Sequence, residues 1–191
     1  AQVVIVTKRA REDSATNLAQ GGIAAVTSKH DSAEKHVEDT HVAGVGLCHP
    51  ATVELCVSQG PEAIRWLAEE GARFSKASGN LELGREGGHS ERRIVHAGDA
   101  TGREVQRALL EAVSHHPNIR LLDWHMGIDL IMVSRFGAPD RCMGAYVLDE
   151  KTGEVLTLMA RSTVLATGGA GKAYLYTSNP DIATGDGIAM A

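Results

Sequence analysis

The chain has 191 residues, long enough for one domain with a real core, and its 43% apolar and 23% charged residues are ordinary for a soluble globular protein. A formal net charge of −5 without any basic cluster argues against nucleic acid as the main partner. The most apolar stretch, LLDWHMGIDLIMV, is broken by Asp123, His125 and Asp129, so no membrane span is expected. AQVVIVTKRAR sets its basic residues after a very short apolar run, unlike a signal peptide. Cys48, Cys56 and Cys142 are odd in number and lack CxxC spacing, which reads as reduced thiols of a cytoplasmic protein.

Val3–Val6 is a continuous β-branched run and predicts a strand buried on both faces, as in a parallel sheet. The loop SATNLAQGGIAAV follows, with hydroxyls, amides and a glycine pair that suit an anionic or polar ligand better than a core. Asp31 and Glu34 form a D-x-x-E capping pattern for a helix with Ala33, Val37, Thr40 and Gly44 on one face. Pro50 and Pro61 each fit the first turn of a helix. The second of these carries Ala63, Ile64, Leu67 and Ala68 on one face and stops at Gly71. Lys76–Gly84 reads as a polar loop. Thr101 and Glu104 form another capping pattern, ahead of Val105, Ala108, Leu109, Ala112 and Val113, the clearest amphipathic helix in the chain.

Beyond Pro117, strands are expected at Ile119–Trp124, Ile128–Val133, Met143–Leu148 and Val155–Ala160, the last three as an antiparallel meander. Phe136-Gly137-Ala138-Pro139 and Lys151-Thr152-Gly153 supply turns. A short strand at Ser162–Ala166 runs into Thr167-Gly168-Gly169. The layout is α/β with an inserted meander.

Two glycine patterns fail as nucleotide motifs. GVGLCH at Gly44–His49 follows a helix and ends in His, which suits a helix C-cap. GGAGKA at Gly168–Ala173 has the wrong spacing and puts Ala173 where a magnesium-binding hydroxyl belongs. His36 and His41 are five apart, a poor match to one helix face, and His115-His116 suit a helix C-terminus, so no metal site is expected. Around the Gly87-Gly88 pair, Glu86 stands amid Arg85, His89, Arg92, Arg93 and His96. Such clustering fits recognition of a charged small molecule, and it equally fits a structural ion-pair network. At the end of the chain, a glycine turn and Gly185-Asp186-Gly187 at a helix start favour ligand contact through backbone amides. The Asp186 carboxylate excludes phosphate and suits a ligand hydroxyl.

Together SATNLAQGGIAAV, REGGHSERRIVHAGDATGREV and ATGGAGKAYLYTSNPDIATGDGIAMA resemble the flavoproteins of the succinate dehydrogenase and fumarate reductase family, in the same order and over the whole chain. Within it the chain is most similar to the members that oxidise L-aspartate. The resemblance implies an incomplete Rossmann-like FAD-binding domain over residues 1–191. The first strand with its GxGxxG, the capping domain and the catalytic arginine are expected outside the chain, so the isolated chain should bind FAD weakly or not at all and should not turn over substrate. Where some members carry a flavin-linking histidine, this chain has Ala15, which implies non-covalent FAD. Where the dicarboxylate dehydrogenases carry phenylalanine, it has Glu86, which suits a substrate ammonium group.

By the same resemblance, Ala15, Thr16, Asn17, Leu18, Ala19, Gln20, Gly21 and Gly22 form the FAD-cradling loop, with Thr16 and Gln20 as polar contacts. Lys8 meets the adenosine side, Met126 and Gly127 the adenine region, and Asp186 the flavin side. Glu86 orients the substrate amino group. The implied reaction is oxidation of L-aspartate to iminoaspartate in NAD biosynthesis, with oxygen or fumarate as acceptor and quinolinate synthase taking the product. A soluble fumarate reductase or succinate dehydrogenase flavoprotein and a non-catalytic fragment are the alternatives.

Overall fold

A computed structural model describes residues 1–137 and 139–191. In chain order the elements are β1 (Val3–Thr7), α1 (Ala15–Leu18), β2 (Ile23–Ala24), α2 (Ala33–Gly44), α3 (Pro50–Glu69), β3 (Lys76–Ala77), β4 (Asn80–Leu81) and β5 (Leu83–Gly84). They continue with β6 (Ile94–Val95), α4 (Thr101–His115), β7 (Ile119–Asp123), β8 (His125–Met132), β9 (Cys142–Asp149), β10 (Val155–Met159) and α5 (Asp186–Met190). The α/β class is as expected. Contacts divide the chain into two units, one of Thr16–Ala112 and one of Ala1–Ala15 with Val113–Ala191.

In the second of these, β1 lies parallel to β7, with Val3 opposite Ile119 and Thr7 opposite Asp123. The parallel pairing agrees with the sequence; the burial does not. Val3, Val4 and Ile5 are 43%, 47% and 36% exposed. Among the described residues β7 is the single strand bonded to β1, so no strand among them pairs its other edge. The meander forms as predicted, in the antiparallel order β10-β9-β8. Asp149 closes the β9–β10 turn by accepting the amides of Lys151 and Thr152 at 2.8 and 3.3 Å. Gly137 ends the turn at Val133–Phe136 in the left-handed region, and Ala138 of that predicted turn lies outside the described residues. Ser162–Ala166 is not a strand: Val164 is 85% exposed, and without a neighbouring ladder β-branched residues alone do not define one.

The Thr16–Ala112 unit has the larger core. Ala25, Ile64, Leu67, Ala72, Phe74, Val95 and Ala108 cluster there, with Val105 and Leu109 packed against them. The predicted stripe of α4 therefore faces the core. The capping predictions need correction. Ser32, not Asp31, caps α2, accepting the Lys35 amide, because the Asp31 carboxylate is taken by Arg93. At α4 the Thr101 hydroxyl accepts the Ala97 amide and Glu104 accepts the Arg73 amide, so no reciprocal box closes.

Pro61 does not start a helix. It lies inside the 20-residue α3, after Pro50 at the first turn, and costs the helix one backbone bond. Ile64 and Leu67 of the predicted α3 face are buried, while Ala63 and Ala68 are exposed. Gly71, at φ 96°, stands just past the helix end as expected. Lys76–Gly84 is not a loop. Ser78 and Gly79, both at positive φ, turn β3 back on β4, and the hairpin is followed by β5. Gly44 ends α2, and Val45 closes it in the left-handed region, so GVGLCH is a C-cap as read. Among the described residues no helix is long and apolar enough to cross a membrane.

Candidate functional site

The predicted site residues fall into two sets, one in each unit. In the Thr16–Ala112 unit the polar loop is fixed at both ends. The Thr16 carbonyl accepts the Ala19 amide at 3.1 Å, and the Ala19 carbonyl accepts the Gly102 amide at 3.0 Å. Gly102 is required there: a Cβ would stand 1.8 Å from the Thr16 carbonyl oxygen. At the other end Gly22 lies against Ile94 and Val95, and β2 pairs antiparallel with β6. Sequence reading missed Gly102, whose signal was the glycine directly after the first residue of α4.

The fixed ends leave the middle of the loop facing outward. Ala15, Thr16, Leu18, Ala19, Gln20 and Gly21 are exposed and Asn17 is half-buried. The stretch from Ala15 to Gly22 contains no carboxylate. It offers a hydroxyl, two amides and accessible backbone, a donor set that fits a phosphate-bearing cofactor such as FAD.

Glu86 belongs to the same unit. Its exposed carboxylate lies beside the loop, with Oε1 3.2 Å from where a Cβ on Gly21 would be. Its turn is closed by the His89 amide on the Glu86 carbonyl and by Arg85 Nε on the His89 carbonyl at 2.9 Å. The arginine-rich segment around it splits. Arg93 is fully buried and grips Asp31 with two bonds, Nη2 to Oδ1 at 2.7 Å and Nε to Oδ2 at 2.8 Å. Its Nη1 also bonds Asp39 and lies 3.2 Å from His89 Nδ1. Ser90 donates its amide and hydroxyl to the same Asp39 oxygen, both at 2.8 Å. The structural ion-pair reading thus holds for Arg93, and the ligand reading stays open for Glu86.

Charges in this cluster are strongly perturbed. The Ser90 amide above all, with Arg93 and the Ser90 hydroxyl, pulls the Asp39 carboxyl down to about 2. Arg93 likewise holds Asp31 below the usual carboxylate range. Burial, reinforced by Arg93 and His89, keeps His36 below its ordinary value, and its buried Nδ1 has no partner among the described residues. The His36 and His89 rings stand 5.6 Å apart.

In the other unit, Lys8 at the end of β1 donates to Thr184 Oγ1 at 2.5 Å and pairs with Asp186 at the start of α5. Thr184 in turn donates to Asp186 Oδ1 at 2.6 Å. Burial by itself would raise the Asp186 carboxyl, but the Lys8 and Thr184 bonds outweigh it and hold the group below its ordinary range. Thr184 was not foreseen. Lys8 and Asp186, which the resemblance assigns to opposite sides of the cofactor, are here bonded to each other. Met126 is exposed on β8, and Gly127 packs against Met190 of α5. The turn at Gly168 and Gly169 is open, since a Cβ on either would meet nothing within 4 Å. That leaves its backbone accessible to a ligand.

Comparison with known proteins agrees with this chemistry. A curated L-aspartate oxidase 1 from Ralstonia nicotianae is 53% identical across the whole chain, and one from Pseudomonas aeruginosa is 49% identical. The chain spans 36% and 37% of their lengths, about a third of each. Among solved structures, an E. coli quinol fumarate reductase matches all of the chain and 32% of its own, with a TM-score of 0.94 and 32% identity. The family model of the FAD binding domain matches residues 1–191. The chain belongs to the FAD binding domain family.

Proposed function

We propose that residues 1–191 are a partial FAD-binding domain within a longer L-aspartate oxidase. The observation that carries this reading is the Glu86 carboxylate beside Gly21 of the outward-facing polar loop. A carboxylate there suits a substrate with an ammonium group, which L-aspartate has and succinate lacks. The names of the curated relatives support the same substrate.

Thr16, Asn17 and Gln20, with the backbone of Ala15, Leu18, Ala19, Gly21 and Gly22, would hold FAD. Lys8, Met126, Gly127 and Asp186 would also contact it, with Lys8 and Asp186 acting as one bonded pair. Ala15 offers no nucleophile, so the cofactor is held without a covalent link. When bound, FAD supplies the two-electron oxidation that turns the amine of the substrate into an imine. The chain's own share is orientation: Glu86 accepts the ammonium hydrogen bonds and fixes the substrate α-carbon in place. Iminoaspartate is the product, oxygen or fumarate the electron acceptor, and quinolinate synthase the next enzyme in cytoplasmic NAD biosynthesis. The fumarate reductase likeness supports fumarate as an acceptor.

That same likeness favours a second reading, a soluble fumarate reductase or succinate dehydrogenase flavoprotein; Glu86 and Ala15 weigh against it. Oxygen consumption by the full-length FAD-loaded protein separates the two. L-aspartate should drive it and succinate should not; the reverse pattern overturns the proposal.

A further inference from the structure

The turn that carries Glu86 has no regular secondary structure between β5 and β6, yet it is tied to α2 along its length. Gly88, at φ 82°, packs on Ala43, with 3.7 Å between the Ala43 Cβ and the place a Cβ of its own would take. Ser90 bonds Asp39 twice, and Glu91 pairs with Lys35 at 2.6 Å. Beneath them Arg93 links the turn, through His89, to Asp39 on α2 and to Asp31 just before it. Here a fully buried guanidinium with two carboxylates is committed to a turn that carries the exposed Glu86.

We infer that Arg93 is a positioning residue for substrate selectivity: with Asp31, Asp39 and His89 it holds the 86–90 turn on α2 so that the Glu86 carboxylate stays against Gly21. The inference rests on the reading of Glu86 as the ammonium-binding group. It goes beyond that reading by locating the control of selectivity in the residues around the buried Arg93 guanidinium rather than in the Glu86 carboxylate itself. Bidentate geometry is what the position demands. Lysine would keep the charge but lose the fork that spans Asp31 and still reaches Asp39 and His89.

The test uses the full-length FAD-loaded protein and three variants, Glu86→Gln, Arg93→Lys and Ser90→Ala. For each, KM and kcat for L-aspartate are measured beside the inhibition constant of succinate, which lacks the ammonium group. Glu86→Gln should raise the L-aspartate KM about tenfold or more and leave succinate unchanged. Arg93→Lys and Ser90→Ala should follow in the same direction, by roughly three- to tenfold, with kcat nearly constant. Ser90 lies at the surface, so its variant remains informative where Arg93→Lys fails to fold.

A purely structural Arg93 would shift L-aspartate and succinate together or leave both unchanged, whatever it does to stability, and that result, with Glu86→Gln behaving as stated, overturns the inference alone. An unchanged L-aspartate KM in Glu86→Gln instead overturns the reading of Glu86 and the inference with it.

Discussion

Two polar regions, the surroundings of Arg93 and the loop from Ala15 to Gly22, differ in what they do with their polar groups. Around Arg93, donors and acceptors meet each other: one guanidinium serves two carboxylates and a histidine, with none of it exposed. In the loop from Ala15 to Gly22 the backbone is bonded at its ends, while Thr16 and Gln20 point outward. Buried charge that is fully paired maintains shape; polar groups presented by a fixed backbone are offered to a ligand. Around Arg93 the chain itself supplies the partners; for the loop, we propose that the cofactor does.

The comparison breaks most visibly at Arg93. Arg93→Ala leaves Asp31 and Asp39 without their counter-ion and should cost about 3–5 kcal/mol of stability, read as a lowered urea midpoint. A loss within experimental error would show the cluster to be dispensable. Gly102→Ala should cost about 1–3 kcal/mol, because its Cβ collides with the Thr16 carbonyl and the loop must move. Flavin-fluorescence titration of that variant should also show weakened FAD binding, since the loop no longer sits on the start of α4.

Acid titration sharpens the same contrast. His36 is held below its ordinary 6.5, so its contribution to stability is complete above pH 6.5 and declines as the pH falls below it. Asp39, lowered from 3.8 to about 2, contributes fully above pH 3.8 and is lost as the pH falls towards 2. Denaturation midpoints measured against pH should therefore fall in two stages. His36→Gln should flatten the first and Asp39→Asn the second. The smallest stability effect belongs to the loop. Thr16→Ala and Gln20→Ala should change stability by less than about 0.5 kcal/mol, yet weaken FAD binding by roughly two- to tenfold each.

Much of this was legible in the sequence. The β-branched run at Val3, the α4 stripe and the meander are read directly from periodicity, and the polar loop from its composition. What escaped depends on contacts distant in sequence. Asp31 reads as a helix cap until Arg93, 62 residues away, takes its carboxylate. Pro61 reads as a helix start because local rules cannot see that α3 continues through it. Val3–Ile5 read as buried because the pattern assumes a strand on each side. Glu86 stood out in the sequence by the arginines and histidines around it, but its substrate role came only through family resemblance, since local composition cannot show its place beside Gly21.

The central claim is that this domain holds FAD for the oxidation of L-aspartate. Its most direct test is the visible absorption spectrum of the full-length protein loaded with FAD, recorded without oxygen before and after addition of L-aspartate or succinate. Flavin bands bleached by L-aspartate and untouched by succinate are the predicted result. Bleaching by succinate alone would contradict the account.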